Sequence, residues 1–251
     1  AMTTPDDARR RPCIARVSPE DFPDTGRGHA VREATRRGEV LLEIPLERAF
    51  TLDAARADDE LATVIPCCVR HDDVVALHVA LERYRGRDAA RAMHVETLPR
   101  AFDTAFYWSE EELRELTGTT CLRDTLNLME ETREDYEQIE RKLEGIGEKD
   151  WMRERGIDYE RYAWARSNLW SRQCDLLKPD GTRTRAMVPT FDIFNHSPEA
   201  PLGKTHKLNA EEGLVTVYAG RDYEVGEQAF ISYGSGEAAN AKLLTWYGFC
   251  V

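Results

Sequence analysis

The sequence predicts an α+β fold, and three observations carry that expectation. Short stretches at both ends alternate apolar and polar residues, Cys13-Ile14-Ala15-Arg16-Val17 near the start and Leu214-Val215-Thr216-Val217-Tyr218 near the end, and Gln228 to Tyr233 also reads as a strand. A period of two is the mark of a half-buried strand. From about residue 50 to about residue 185 the apolar residues recur with helical spacing instead. With 251 residues and 41% hydrophobic content, the chain has apolar surface enough for one large domain or two small ones.

Taken in order, residues 1–11 are polar and Arg-rich and read as a disordered tail. Cys13 to Val17 is the first expected strand. Gly26-Arg27-Gly28 allows a tight turn or a close backbone approach to a ligand, and a plain turn accounts for it as well. Asp72 is placed to cap a helix carrying Val75, Leu77, Val79, Leu81 and Tyr84, on which His78 reads as packed or exposed rather than functional. Phe102 to Trp108 is dense in aromatics, which usually means core. Ser109-Glu110-Glu111-Glu112 is a capping box, and Gly118 closes the short helix it starts. Leu122, Leu126, Met129, Tyr136 and Leu143 are expected on one face of a long helix that Gly145 and Gly147 stop. The Glu/Arg-rich remainder of that helix is a solvated face. Asp158 begins a further helix through Tyr162, Trp164, Leu169 and Trp170. Arg172 sits near its C-terminal end, where a cation suits the helix dipole. Lys178 to Thr182 is a turn, 198–213 is a loop, and Asn240 to Leu244 is helical.

Composition excludes several classes. The formal net charge is −12, which argues against a general nucleic-acid binder and accords with ordinary acidic solubility or a basic protein partner. No apolar run of about 18 residues is present, so no membrane partner is expected. The start lacks an apolar signal region. The six cysteines include no C-x-x-C, Cys67 and Cys68 are adjacent, and the six histidines are scattered. A metal site is therefore not expected, and the thiols read as reduced and intracellular, with cytoplasm, nucleus and plastid left open.

Near the C-terminal end, Val188-Pro189-Thr190-Phe191-Asp192-Ile193-Phe194 runs into Asn195-His196-Ser197. Then follow Gly226-Glu227-Gln228-Ala229-Phe230-Ile231-Ser232-Tyr233-Gly234, Asn240, and Trp246-Tyr247-Gly248-Phe249. Polar groups at the end of an apolar run are costly unless something binds them. Each piece alone fits a core with satisfied polar side chains. In this order they resemble the SET domain of protein lysine methyltransferases, and within it the group that includes plant RuBisCO large-subunit methyltransferase and the actin histidine methyltransferase. The Gly26-x-Gly28 segment, Gly38-Glu39, the strand ending at Ile44-Pro45, and Leu98-Pro99 with Asp103-Thr104 match that group too. The resemblance covers about residues 12–250.

The resemblance implies a SET-domain β-fold of small sheets with a C-terminal pseudoknot and a large helical insertion, about 50–185, in a domain spanning 12–251. The group's C-terminal substrate-docking domain is absent from this sequence. The implied cofactor is S-adenosylmethionine, leaving as S-adenosylhomocysteine. Gly26, Arg27, Gly28 and His29 are its implied amino-acid-end contacts, Asn195 and His196 hold the adenosyl part, and Arg172 borders both donor and substrate. Tyr233 is the implied catalytic residue. Tyr247 and Phe249 line the channel, and Asp192 is substrate-side, or else a local cap.

Methyl transfer is an in-line displacement in which positioning alone lowers the barrier by about 7–11 kcal/mol. A lysine amine, with a pKa of about 10.4, must lose its proton first. Desolvation beside a sulfonium favours that loss. The expected partner is a non-histone protein presenting a lysine to a monomeric enzyme. Where the actin histidine enzyme has an Asn two residues after its Arg, this chain has Cys174, which cannot donate as an amide does. That favours lysine over histidine. The alternatives are a histidine or histone-lysine acceptor, or a catalytically idle SET-like interaction module.

Overall fold

The expected strands near the C-terminal end form, and most of the stretch from 50 to 185 is helical, but it also holds β-strands at Gln173–Leu177 and from Arg183. The structure, a computed structural model, describes residues 12–200, 205–234 and 239–251; the expectation for 1–11 lies outside them. In chain order the strands are β1 (Val17–Phe22), β2 (Gly26–Val31), β3 (Val40–Pro45), β4 (Phe50–Thr51), β5 (Gln173–Leu177), β6 (Arg183–Met187), β7 (Asn195–His196), β8 (His206–Asn209), β9 (Leu214–Tyr218) and β10 (Gln228–Ile231). The α-helices are α1 (Leu52–Arg56), α2 (His71–Arg85), α3 (Ala92–Thr97), α4 (Glu110–Arg114), α5 (Thr120–Gly145), α6 (Trp151–Glu154), α7 (Tyr159–Arg172) and α8 (Ala239–Tyr247). Two compact units result: Ala1–Leu46 with Ile193–Tyr233, and Glu47–Asp192 with Gly234–Val251.

The first unit is built from small sheets. One has the order β1-β2-β10-β7 and the other β3-β9-β8. β1 and β2 form an antiparallel hairpin from Val17↔Val31 to Phe22↔Gly26. β10 is antiparallel to β2 and parallel to β7. Ala30, Val31, Leu42, Ile44, Phe194, Val215, Val217 and Ala229 are buried here. The first strand starts at Val17 and not at Cys13; only Ala15 makes an isolated bridge, to Leu42. The expected 198–213 loop contains β8, an edge strand whose His206-Lys207-Leu208-Asn209 has one apolar residue and so little signal of its own.

The second unit is mainly helical, with a small sheet β4-β6-β5. α2 is buried from Asp73 through Glu82, as expected of a helix apolar on most sides. Around it pack Phe50, Leu61, Tyr136, Ile139, Leu143, Trp151, Tyr162, Trp164 and Leu169. The capping box forms as read, Glu112 Oε2 accepting from the Ser109 amide at 2.7 Å, and Asp158 caps α7. The α2 start differs. Asp73, not Asp72, accepts from the Val69 and Arg70 amides (3.1 and 2.8 Å), while Asp72 pairs with Arg185. α5 differs as well: its inner face runs through Cys121, Thr125, Leu128, Thr132, Tyr136, Ile139 and Leu143, which leaves Leu126 47% exposed. Buried threonines hold positions that an apolar-only count skips. The Lys178–Thr182 turn joins β5 to β6. No described helix is long and apolar enough to cross a membrane.

Candidate functional site

In the first unit, the β10 pairing gathers the residues for which the resemblance implies donor contacts. Gly26 opens β2 with φ 66°, a conformation glycine adopts freely. The Asn195 carboxamide donates to the Thr25 carbonyl at 3.1 Å and the Arg27 carbonyl at 3.0 Å. The Thr25 hydroxyl donates to Gln228 Oε1 at 2.9 Å. A Cβ on Gly28 would stand 2.2 Å from Gln228 Nε2 and 3.0 Å from Asn195 Nδ2, so the second glycine is needed for that close approach. Gln228 Nε2 is a buried donor with no hydrogen-bond partner among the described residues. His29 is fully buried with its ring 4.4 Å from that of Phe194.

His196 and Tyr233 are locked together. The Tyr233 amide donates to His196 Nδ1 at 3.0 Å, so the neutral ring carries its proton on Nε2. Burial lowers the His196 pKa, against the pull of a hydrogen bond with the Ile231 backbone. The Tyr233 hydroxyl donates to the Phe194 carbonyl at 2.6 Å. Its one proton is thereby used, and its remaining capacity is as an acceptor.

In the second unit, Arg172 ends α7. Its Nη1 donates to the Asp192 carbonyl (3.0 Å) and to Asp192 Oδ2 (3.2 Å), and His94 Nε2 lies 3.0 Å from the same oxygen. The Asp192 side chain is only 2% exposed. Burial is the largest influence on it and raises its pKa, but the His94 bond and the charges of His94 and Arg172 outweigh that and hold it below its ordinary value. Tyr247 and Phe249 bracket Gly248 with their ring centroids 6.3 Å apart, and burial raises the Tyr247 pKa. Cys174 is buried, and its thiol is pushed up to about 12 by burial.

The structure thus brings together Gly26, Arg27, Gly28, His29, Asn195, His196 and Tyr233 in one unit, and Arg172 with Asp192, and Tyr247 with Phe249, in the other. Sequence reasoning missed Gln228 and His94. Gln228 lies inside the quoted Gly226-to-Gly234 motif; His94, far from Asp192 in sequence, gave no signal. Asp58, His78 and Glu82 each place a possible ligand atom within 4.8 Å of the others, but Arg85 bridges both carboxylates at 2.6 and 3.1 Å. Burial, then Arg91, brings the His78 pKa down to about 3.

No family model matches the chain. Among curated proteins, the actin-histidine N-methyltransferase of Danio rerio is 27% identical over 239 residues, covering 91% of this chain and 38% of that protein. That of Homo sapiens is 25% identical with the same coverage. Among solved structures, the SET domain of LSMT bound to lysine and AdoHcy matches with a TM-score of 0.84 at 24% identity, over 98% of this chain and 55% of that one. Rubisco LSMT bound to AdoMet matches with a TM-score of 0.80 at 25% identity, over 94% and 52%. The chain thus has the fold of the LSMT SET domain. Its sequence is similar to the actin-histidine N-methyltransferases, although it spans only 38% of the length of those curated relatives.

Proposed function

We propose that the chain is an S-adenosylmethionine-dependent protein methyltransferase whose acceptor is a lysine of a non-histone protein. The observation that carries the reading is the first unit's cradle, in which Asn195 fixes the Thr25-to-Gly28 backbone while His196 fixes Tyr233. The donor fits this set. Gln228 Nε2 is a buried donor suited to the carboxylate of the amino-acid end, and Gly28 keeps the backbone clear of a side chain. Gly26 to His29 would hold that end, and Asn195 with His196 the adenosyl part; in the second unit, Arg172 is held by Asp192. Bound there, S-adenosylmethionine supplies a methyl group activated by a sulfonium.

The chain's own residues do the positioning. With its proton committed to the Phe194 carbonyl, Tyr233 presents oxygen lone pairs, which accept an N–H of the amine and aim its nitrogen lone pair. The lysine must arrive neutral, and desolvation favours that form. In the second unit, Tyr247 and Phe249 set two aromatic rings side by side, and Asp192 is held ionised by His94 and Arg172.

Lysine is favoured over histidine by Cys174. A buried neutral thiol, with its pKa near 12, cannot donate to an imidazole as an amide would. The curated relatives' names favour histidine, so the residue that is methylated decides between them. The partner is then a protein presenting a lysine to a monomer. The six free thiols suit a reducing, intracellular compartment.

The test is calorimetric titration with S-adenosylhomocysteine, beside Asn195→Ala. Saturable one-to-one binding that the variant loses supports the reading. No binding by a folded chain overturns it. Mass spectrometry of methylated protein targets then assigns lysine or histidine.

A further inference from the structure

The second unit carries a cationic cleft on a chain whose formal net charge is −12. A cavity of about 580 Å³ lies at α1, the start of α2 and the β5–β6 hairpin. That volume is in the usual range for ligand pockets. Its lining brings together Arg56, Arg70, Lys178, Arg183 and Arg185 against the carboxylates of Asp53 and Asp72. The N-terminal turn of α2 contributes His71, while Asp72 and Asp73 of the same turn meet the positive end of the helix dipole.

Three of the cations are partly committed. Arg185 is bound by Asp72 at 3.0 Å, Lys178 by Asp53 at 2.8 Å, and Arg70 by Glu131 at 2.6 Å. Arg183 is held only loosely, 3.7 Å from an exposed Asp175. Arg56 forms no ion pair with a described residue. Pairs at such exposure are weak, so an incoming carboxylate exchanges with them readily.

We propose that this cleft docks an acidic peptide segment, with Arg56 and Arg183 as the primary carboxylate contacts. Leu52 and Val75 in the same lining give apolar side chains of the segment a place to rest. A nucleic acid fits less well. The cations are interspersed with Asp53 and Asp72, and a polyanion longer than the cleft runs onto an acidic molecule. That the segment belongs to the protein being methylated rests on the function proposed above; the docking itself does not.

The test is fluorescence anisotropy with a labelled Glu/Leu peptide, a Lys/Leu counterpart and a single-stranded oligonucleotide, at low and near-physiological salt. The expected result is salt-sensitive binding of the Glu/Leu peptide alone, weakened about tenfold or more by Arg56→Glu with Arg183→Glu. Both positions are exposed, so the fold should survive, and Arg56→Gln with Arg183→Gln is the milder pair should the charge reversal misfold. No peptide binding, equal binding by the variants, or preference for the oligonucleotide each overturns the proposal. S-adenosylhomocysteine titration on the same variants, with wild-type affinity expected, keeps failure of the cleft distinct from failure of the donor site.

Discussion

Gly28→Ala probes the proposed donor cradle directly. The backbone at Gly28 lies outside the positive-φ region, so alanine adopts it without strain and the cost is steric. The new Cβ would meet Gln228 Nε2 at 2.2 Å, Gln228 Cδ at 3.1 Å and Asn195 Nδ2 at 3.0 Å. Gln228 is the flexible neighbour and swings away, giving up its bond from the Thr25 hydroxyl, a loss of about 0.5–1.5 kcal/mol. Asn195 gives by a few tenths of an ångström and loosens its hold on Thr25 and Arg27. The expected destabilisation is about 1–2 kcal/mol, small beside the ~5–15 kcal/mol of a folded domain. Affinity for S-adenosylhomocysteine should fall tenfold or more, about 1.4 kcal/mol, because the displaced backbone is the proposed binding surface. Gln228→Ala removes the obstructing group, so Gly28→Ala in that background should cost little, a coupling of about 1 kcal/mol. Urea denaturation and calorimetry on the four proteins measure both quantities. Strict additivity in stability, or unchanged ligand affinity in Gly28→Ala, would refute the reasoning.

Four further outcomes are expected. Tyr233→Phe should cut methyl transfer about a hundredfold, read by single-turnover assay, with donor affinity held within about twofold, since it removes only positioning. Gly248→Ala should cost about 2–4 kcal/mol in urea denaturation. Its φ is 82°, and the added Cβ would press on the Asp103 and Thr104 backbone at 3.0 and 3.1 Å, which cannot swing aside. Arg166→Met should destabilise by about 3–5 kcal/mol by the same assay, because it takes the counter-charge from buried Asp73 and leaves Asp135 with Arg70 alone, at 3.5 Å. Asp192 has a folded pKa below its ordinary 3.8, so its contribution is full above that value and is lost as pH falls through the lower folded value. Asp192→Asn should therefore flatten the acid side of the stability–pH curve below about pH 4, read by thermal melts.

What was legible in the sequence was local. A capping box needs only Ser109 and Glu112, and an N-cap only Asp158, so α4 and α7 were readable at their starts. β9 was readable from its β-branched residues, although burial of four residues in a row covers both of its faces and departs from the half-buried pattern that alternation marks. The choice between Asp72 and Asp73 was not legible, because either can reach back to a helix start, and Arg185, in a strand far along the chain, claims Asp72. The true face of α5 was hidden because Thr125 and Thr132 are fully buried and count as polar by type. At the site, Asn195, His196 and Tyr233 were readable from the motif as residues but not as a linked set. Neither the Asn195 clamp on Thr25 and Arg27 nor the approach of His94 to Asp192 leaves a trace in spacing.

The linkage among those residues follows from one short strand. β10 pairs with β2 through Gln228↔Ala30 and Ala229↔His29, and with β7 through Phe230↔Asn195 and Ile231↔His196. One four-residue strand therefore sets the glycine segment on one side and the Asn-His pair on the other. It also delivers Tyr233, two residues past its end, to His196. Side chains alternate across a strand, so a one-residue slip would turn Gln228 away from Thr25 and bring the wrong amide to His196 Nδ1. Such a slip is opposed on both edges at once, by the β2 ladder and by the parallel β7 pair, and buried Ala229 and Ile231 resist it from the core. The precision of the cradle is thus a property of sheet register. That explains why residues from three distant parts of the sequence behave as one site, although β7 itself is only two residues long.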